Sequence, residues 1–539
     1  MKGKRMLATL LAAMIACGSV ATTASVVSAA ETTAIVAAQA VSASNVLPTD
    51  VTTPSSGCML VGIQGDFIAD SKAALKRINE IRYEACKEGV TNPSTAQTYV
   101  DRYKENILAD GSKIVAERVN FAPQPQSSMS VIDQHTGYVK ALIGGRGEKT
   151  ASLTLNRATD TTRQPGSTFK IVSTYAPALN EKGMTLATTF EDEPYTYPDG
   201  SPVNNSTRSY EGTTTIRTAI QNSVNVVAVK CLEEVTPDLG LKYLDNFGFT
   251  TLAHGTEADK DANGNIWSDA NLATALGGIT KGVTNVELCA AYASIANSGN
   301  YIKPIYYTKI LDHNGNVLIE NTSVERSVIK ESTAYLLTSA MEDVVKYGTG
   351  TACQLDNMAV AGKTGTTEAY NDVWFVGYTP YYTCAIWSGY DNNEKLPDYA
   401  RKYHRNLWKK VMTRIHEGLP QKDFEKPASV EKLSICAISG LLPRAGCPVT
   451  TEYFDVGTMP TEYCEEHFYD ESSYDYDTSD QTNSSSTDTS DAENTDTSDD
   501  STDGTENTDG TDGDNNTSED DNTGNTGDDD DDSQYQIDY

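Results

Sequence analysis

Residues 163–180 read RQPGSTFKIVSTYAPALN and place a serine and a lysine three positions apart at the head of an apolar segment. Pro-Gly ahead of Ser167 indicates a turn, and the apolar positions after it have helical spacing. Residues three apart share one face of a helix, so the Ser167 and Lys170 side chains are expected to meet. At a helix start the unpaired N–H groups favour negative charge, and partial desolvation lowers the pKa of a lysine. The pair therefore predicts a serine nucleophile for acyl transfer, with Lys170 accepting its proton.

The motifs that follow Ser167 distinguish it from other matches to the same pattern. A serine and a lysine three apart recur by chance, here at Ser327–Lys330 and Ser429–Lys432. Only Ser167 is followed first by Ser223-Val-Asn225 and then by Lys363-Thr-Gly365, a tripeptide that occurs once in the chain. The order of the three motifs, rather than any one of them, therefore indicates a catalytic site.

The regions around these motifs predict an α+β domain. Residues 129–133 and 138–144 are predicted strands joined by the turn Gln-His-Thr-Gly. A helix-rich stretch covers 167–297 and ends at a glycine-containing turn, and strand patterns return between 301 and 390. Strands, then helices, then strands favour helices packed on an antiparallel sheet.

The motifs and their flanks resemble the transpeptidase domain of class A penicillin-binding proteins. The flanking sequences that carry this resemblance are ALIGGRGEKTASLTLNRATDTTRQPGSTFK (141–170), ALGGITKGVTNVELCAAYASIANSGNYIKP (275–304) and VAGKTGTTEAYNDVWFVGYTP (360–380). The resemblance extends over about residues 100–468, and CAISGLLPRAGC…YCEEH (436–467) is similar to the C-terminal appendage of some members. It implies the α+β fold shared by penicillin-binding proteins and serine β-lactamases, with a transpeptidase domain at 100–425 and an appendage at 426–468.

The resemblance also implies roles for the first four residues of the site. Ser167 would attack the D-alanyl-D-alanine carbonyl of a peptidoglycan stem peptide, with Lys170 as its general base. Ser223 would relay a proton to the leaving D-alanine, and Asn225 would hold Lys170 and the substrate amide. The amine of a second stem peptide, or water, would then resolve the acyl-enzyme. β-Lactam antibiotics are the implied inhibitors.

The strand motif is implied to bind the substrate. Lys363 would supply positive potential over the substrate carboxylate, and the hydroxyls of Thr364 and Thr366 would bind it. Gly365 would let the substrate backbone lie along the strand edge. The backbone N–H groups of Ser167 and Thr366 would form the oxyanion hole. No cofactor and no metal are implied at this site.

Three alternatives to a D,D-transpeptidase remain open. The same scaffold supports a D,D-carboxypeptidase or a β-lactamase, although we place no glutamate that would activate water as lactamases need. A wall-binding or β-lactam-binding protein without catalysis is the third.

Class A members normally carry a glycosyltransferase domain before the transpeptidase, and we find no room for one ahead of residue 100. We therefore expect it to be missing. The protein would then cross-link or trim wall already made, or depend on a separate glycosyltransferase as its partner.

The N-terminal residues predict export. Residues 1–30 combine a basic start, a short apolar run and small residues at 27–29, which is typical of a removed signal peptide. An uncleaved anchor is the alternative, so we expect a secreted or cell-wall-associated protein, or a membrane-anchored one.

Residues 31–56 are a predicted linker. Residues 57–99 resemble the opening of a CAP (cysteine-rich secretory protein-like) domain whose remainder does not follow, so a helical fragment is favoured. Its helix is capped by Asp70 or Ser71 and has an apolar face of Ala74, Leu75, Ile78, Ile81 and Ala85.

The acidic residues are concentrated at the C-terminus. Of the net charge of −33, residues 471–539 contribute −24 and contain no Lys or Arg, which leaves about −9 for residues 1–470. Residues 469–539 are rich in Asp, Ser and Thr and nearly lack apolar residues, so they predict a disordered tail. No basic patch indicates nucleic-acid binding.

Three cysteines cluster in the appendage, at Cys436, Cys447 and Cys464. Export permits a disulfide between two of them. A zinc site that includes Cys464-x-x-His467 is the weaker alternative, because the other two cysteines lack the tight pair spacing of common zinc motifs.

Overall fold

The computed structural model describes residues 60–69, 93–109, 114–147, 149, 152 and 154–467. Within these residues the helices are α1 Pro93–Ala109, α2 Ala176–Glu181, α3 Ile216–Asn222, α4 Asn225–Val235, α5 Pro237–Asn246, α6 Asn285–Ala296, α7 Glu331–Lys346 and α8 Tyr403–Ile415. The strands are β1 Leu60–Ala69, β2 Ile114–Gln124, β3 Gln126–Asp133, β4 Tyr138–Ile143, β5 Thr189–Asp192, β6 Tyr195–Thr196, β7 Pro202–Val203, β8 Gly212–Thr215, β9 Asn300–Ile302, β10 Lys309–Leu311, β11 Val317–Glu320, β12 Glu325–Ser327, β13 Ala361–Thr366, β14 Asp372–Tyr378, β15 Thr383–Gly389, β16 Val430–Cys436 and β17 Val449–Asp455.

The centre of the fold is a five-stranded antiparallel sheet in the order β13-β14-β15-β3-β4. Its three middle strands are buried on both faces, because α6 packs against β3 and β15 while α8 packs against β14 and β15. Trp374 joins the core cluster that contains the α6 residues, and its neighbour Phe375 joins the cluster that contains Trp408 of α8. Successive residues of a strand point to opposite faces, so the sheet lies between two helical layers. The predicted α+β fold is confirmed.

The predicted hairpin is also confirmed, as β3 and β4, with Gly137 at a φ of +73° in the connecting turn. The apolar pattern of residues 216–235 runs on without a break, but the structure of this stretch does not. It forms two helices, α3 and α4, because Ser223 adopts a left-handed φ of 59° and Val224 is extended. This break places Ser223 at a sharp corner between the helices.

The N-terminal described residues form a two-stranded sheet and one helix. β1 pairs with β2 in an antiparallel ladder from Leu60↔Gln124 to Ala69↔Ile114, and α1 packs against both strands. β1 stands where a helical fragment was expected, and the expected boundary between residues 99 and 100 falls inside α1.

Four predicted segments lie outside the described residues: the signal peptide, the linker, the CAP-like helix of residues 70–85 and the acidic tail. Among the described helices, we find none that combines the length and apolarity needed to cross a bilayer.

The C-terminal appendage is the β16–β17 hairpin, and it docks on the helices next to the sheet. Arg217 of α3 makes a bidentate contact with Glu452 of β17, with both N···O distances 2.6 Å. Tyr453 packs edge-on against Tyr335 of α7 with ring centroids 5.6 Å apart. The hairpin therefore contacts the helix that leads directly into Ser223.

Candidate active site

The turn that carries Ser167 is not a regular helix. Residues Gly166–Thr168 form a 3-10 turn and Lys170–Tyr175 form a π-helical turn, where the sequence predicts a continuous α-helix. π-Turns within helical segments are frequent at functional sites. Ser167 is partly exposed, whereas Lys170 is completely buried. The motif thus combines a hydroxyl that a substrate can reach with an amine removed from solvent.

Close backbone contacts hold the Ser167 turn against β13. Gly166 has a φ of +56°, and a Cβ there would lie 2.7 Å from the Thr366 carbonyl oxygen and 2.9 Å from the Thr366 nitrogen. A Cβ on Gly365 would lie 2.6 Å from the Pro165 carbonyl oxygen. The family resemblance explains Gly365 by the room a substrate needs, but here the room beside it is filled by the protein's own turn. The two glycines therefore bring residues 167 and 366 into adjacent stretches of backbone.

Lys170 is held by three acceptors. Its Nζ donates to the Asn225 Oδ1 at 2.6 Å, to the Ser223 carbonyl oxygen at 2.6 Å and to the Ser223 Oγ at 3.3 Å. Burial, and secondarily the charge of Lys363, holds the pKa of Lys170 well below its usual value. Because a lysine with a lowered pKa can accept a proton near neutral pH, Lys170 has the environment of a general base.

The Ser223 hydroxyl joins two buried lysines. The Lys363 Nζ donates to it at 2.7 Å, and the Lys170 Nζ lies 3.3 Å from the same oxygen. Burial lowers the pKa of Lys363 from 10.5 to about 7. Since both amines contact this oxygen, a proton can pass between Lys170 and Lys363 through the Ser223 hydroxyl.

Backbone geometry aims Ser223 and Asn225 at the lysines. Ser223 ends α3 in the left-handed region, which is uncommon for a residue with a side chain and is found at sites where function requires it. The Asn225 Nδ2 donates to the Asn204 carbonyl oxygen at 2.7 Å. That bond orients the amide so that its oxygen, rather than its nitrogen, faces Lys170. Neither side chain merely caps a helix.

Asn205 supports this corner, and sequence reasoning missed it. Its Oδ1 accepts from the N–H groups of Asn225 at 2.9 Å and Val226 at 3.2 Å, so it caps α4 from another loop. Its Nδ2 donates to both oxygens of the buried Asp192 carboxylate, at 2.8 and 3.0 Å. A capping asparagine normally directly precedes its helix. One that lies 20 residues upstream leaves no local signal in the sequence.

The two threonines of β13 differ in their surroundings. Thr366 is exposed at the end of the strand, whereas Thr364 is half-buried and its hydroxyl lies 2.7 Å from the Thr349 hydroxyl. Thr349 follows α7, and its carbonyl oxygen accepts from Arg405 of α8 at 2.9 Å. Thr349 is therefore a second site residue without a sequence motif, fixed by the helices on both sides of it.

The structure separates the true motif from its chance matches. Lys170, Ser223, Asn225 and Lys363 share one hydrogen-bonded group behind the Ser167 turn. In the other two S-x-x-K matches the serine and the lysine, at 327 and 330 and at 429 and 432, are all exposed.

An α+β domain in which S-x-x-K, S-x-N and K-T-G motifs meet defines the class of penicillin-recognising serine acyltransferases and hydrolases. Residues 128–413, just over half of the chain, match the family model described as the penicillin binding protein transpeptidase domain. Residues 426–469 match the model described as the penicillin-binding protein 1A C-terminal domain. The chain belongs to the penicillin-binding protein transpeptidase family.

Several curated relatives carry the name penicillin-binding protein 1A. The protein of that name from Clostridium tetani is 36% identical over 64% of this chain and 45% of the relative. Penicillin-binding protein 1A/1B from Bacillus subtilis is 30% identical over 66% of this chain and 39% of the relative. The matched region thus spans less than half the length of these relatives.

A solved structure of penicillin-binding protein 1A from Haemophilus influenzae has the same fold. It superimposes with a TM-score of 0.54 and 23% sequence identity, and the match covers 65% of this chain and 58% of that one.

Proposed function

We propose that this protein is a D,D-transpeptidase that cross-links peptidoglycan stem peptides through an acyl-enzyme on Ser167. The observation that carries the proposal is the hydrogen-bonded group of Lys170, Ser223, Asn225 and Lys363 behind the turn that carries the partly exposed Ser167. Membership of the transpeptidase family supports the same conclusion.

In the acylation step, neutral Lys170 accepts the Ser167 hydroxyl proton while the Ser167 Oγ attacks the carbonyl carbon of the penultimate D-alanine. The lowered pKa of Lys170 increases the fraction of neutral amine near neutral pH. The backbone N–H groups of residues 167 and 366 donate to the oxyanion, which is the role that their adjacent placement favours.

In the second half of acylation, the peptide C–N bond breaks and the leaving D-alanine nitrogen takes a proton from the Ser223 hydroxyl. Ser223 recovers a proton from Lys170 across 3.3 Å, which returns Lys170 to its neutral form. Protonated Lys363, with the Thr364 and Thr366 hydroxyls, binds the terminal carboxylate of the substrate. The amine of a second stem peptide then attacks the ester, forms the cross-link and regenerates Ser167.

Stem peptides lie outside the cytoplasm, so we place the site of action there. Export by a cleaved signal at residues 1–30 fits that location, as does an anchored form. A separate glycosyltransferase would supply the glycan strands. The linker at 31–56, the fragment at 57–99, the boundaries of the domains at 100–425 and 426–468, and the tail at 469–539 stay predictions.

The test is labelling of the full chain with a fluorescent penicillin. Wild type and Ser327→Ala, which alters a chance S-x-x-K serine, are expected to form a stable adduct that Ser167→Ala does not form. An unlabelled wild type would contradict the proposal in favour of a binding protein. Rapid loss of the label would indicate a β-lactamase.

A second assay separates transfer from hydrolysis. The chain is incubated with a D-alanyl-D-alanine stem peptide and an amine acceptor, and the products are identified by mass spectrometry. A new amide to the acceptor that is lost in Ser167→Ala supports the transpeptidase. Release of D-alanine without an amide product would instead identify a D,D-carboxypeptidase.

A further inference from the structure

Four metal-binding side chains converge in the C-terminal appendage, which contains none of the three active-site motifs. Cys436 is the last residue of β16, Cys447 lies two residues before β17, and Cys464 and His467 follow the hairpin. The three sulfur atoms and one imidazole nitrogen all lie within 4.8 Å of one another. Cys436 and Cys464 are completely buried, while Cys447 and His467 are partly exposed.

The distances from His467 to two of the sulfurs match a tetrahedral zinc site. Zn–S bonds of about 2.3 Å and Zn–N bonds of about 2.0–2.1 Å give sulfur–nitrogen edges of about 3.6 Å and sulfur–sulfur edges of about 3.8 Å. The His467 Nδ1 lies 3.3 Å from the Cys464 Sγ and 3.6 Å from the Cys436 Sγ. These two edges fit such a site, and every other separation among the four atoms stays within 4.8 Å.

The backbone, rather than sequence spacing, brings the ligands together. The Cys436 N–H donates to the Leu441 carbonyl oxygen at 2.8 Å, which closes the first loop. The Cys464 N–H donates to the Leu442 carbonyl oxygen at 2.8 Å, which lays the last segment beside that loop. The Arg444 N–H donates to the Cys447 Sγ at 3.3 Å, a contact of the kind that orients metal-ligating thiolates.

A disulfide explains this cluster less completely than a metal does. A disulfide joins two sulfurs at about 2.05 Å and would leave the third cysteine and the imidazole at the same point without a role. Three sulfurs and one imidazole are one of the common ligand sets of structural zinc. Sequence reasoning favoured the disulfide because two cysteines lack pair spacing, but the hairpin supplies the proximity that the spacing lacks.

We propose that Cys436, Cys447, Cys464 and His467 bind one zinc ion. The protein fills all four positions of the tetrahedron, so the site is structural and leaves no position open for a substrate. The ion would tie the loop end of the β16–β17 hairpin to the segment that follows β17. Because Glu452 of this hairpin holds Arg217 of α3, the ion would also help to keep the appendage docked beside the transpeptidase domain.

The test begins with the metal content and thiol state of the full chain. The wild-type protein is purified without chelator, equilibrated with zinc sulfate and dialysed, and its zinc is measured by elemental mass spectrometry. About one zinc per chain is expected. Differential alkylation and peptide mass mapping are expected to find all three cysteines reduced, and protected from alkylation until a chelator removes the metal.

Matched variants connect the metal to these residues. Cys447→Ser and His467→Ala are expected to lose most of the bound zinc, whereas Cys353→Ala, which alters a buried cysteine of the sheet core, is expected to keep it. A disulfide between any two of Cys436, Cys447 and Cys464 in the wild type would overturn the proposal. So would three reduced cysteines without retained zinc, or equal zinc content in wild type and variants. The wild-type result stands even if a variant fails to fold.

Discussion

Gly166→Ala tests whether the contact between the Ser167 turn and β13 sets up the reactive serine. The substitution introduces two costs. Alanine at a φ of +56° costs about 1–2 kcal/mol. Its Cβ would lie 2.7 Å from the Thr366 carbonyl oxygen, and relief of that overlap costs about 1–3 kcal/mol more because the obstacle is backbone. The expected loss of unfolding free energy is about 2–5 kcal/mol.

The second cost also affects chemistry, because relief of the overlap must move Ser167 away from Thr366. A displacement of about 1 Å at a reacting group costs about 100-fold in rate. We therefore expect the second-order rate of acylation by a fluorescent penicillin to fall about 100-fold in Gly166→Ala. This rate is measured by stopped-flow or gel-based labelling. Circular dichroism first shows that the variant is folded.

Gly183→Ala is the matched control. Gly183 has a φ of +69° but nothing lies within 4 Å of its Cβ position, so alanine there carries the backbone cost alone. We expect a loss of about 1–2 kcal/mol in urea unfolding and an unchanged acylation rate. If the two variants lost equal stability and labelled at equal rates, the contact between Gly166 and Thr366 would have no part in positioning Ser167.

Three further predictions concern charge and support around the site. Acylation by benzylpenicillin is expected to decline as pH rises above about 7, because Lys363 loses the charge that binds the carboxylate. Over the same pH interval the free energy of unfolding is expected to rise, because the lysine keeps its proton in the unfolded chain but has released it in the folded protein. If neither the acylation rate nor the unfolding free energy changed with pH, the lowered pKa of Lys363 would be contradicted. Asn205→Ala is expected to remove at least about 2 kcal/mol in urea unfolding, about 1 kcal/mol for each lost acceptor contact, and more because the buried Asp192 carboxylate loses a donor. It should also slow penicillin labelling, and normal labelling would show that Asn205 does not position Asn225. Glu452→Gln is expected to lower stability by about 1.5–3 kcal/mol, measured by thermal unfolding, because two charge-assisted hydrogen bonds to Arg217 weaken while Asp343 still balances its charge. A loss below about 1 kcal/mol would show that the pair does not hold the appendage.

The sequence was sufficient for the fold class because the sheet and helices follow local rules. The β3–β4 hairpin has a turn signal between two strand patterns, and the helix Asn285–Ala296 has a capping box at Thr284 and a glycine after its end. The strand Leu60–Ala69 could not be found in this way. Its partner lies over 40 residues downstream in β2, so pairing rather than local propensity determines it.

The site residues that belong to sequence motifs could be predicted. The residues that hold those motif residues in place could not. Lys170, Ser223 and Lys363 occur in short ordered patterns, so their convergence could be expected. Asn205 and Thr349 act through hydrogen bonds formed only after folding. Their residue types are common in loops, and a single sequence has no feature that separates them from other polar loop residues.

The same reasoning explains why the appendage matters to the active site. Two buried amines around one hydroxyl oppose folding, because burial disfavours their charged forms. The surrounding structure must therefore hold the corner at Ser223 in its left-handed conformation. α3 ends at that corner, and its Arg217 is bound from outside by Glu452 of the hairpin at 2.6 Å. Arg217 also donates to Asp343 and Ser339 of α7, so Glu452 is one of three side chains that hold the helix ending at Ser223. The appendage thus adds one contact that supports the acylation site from a distance, without touching a substrate.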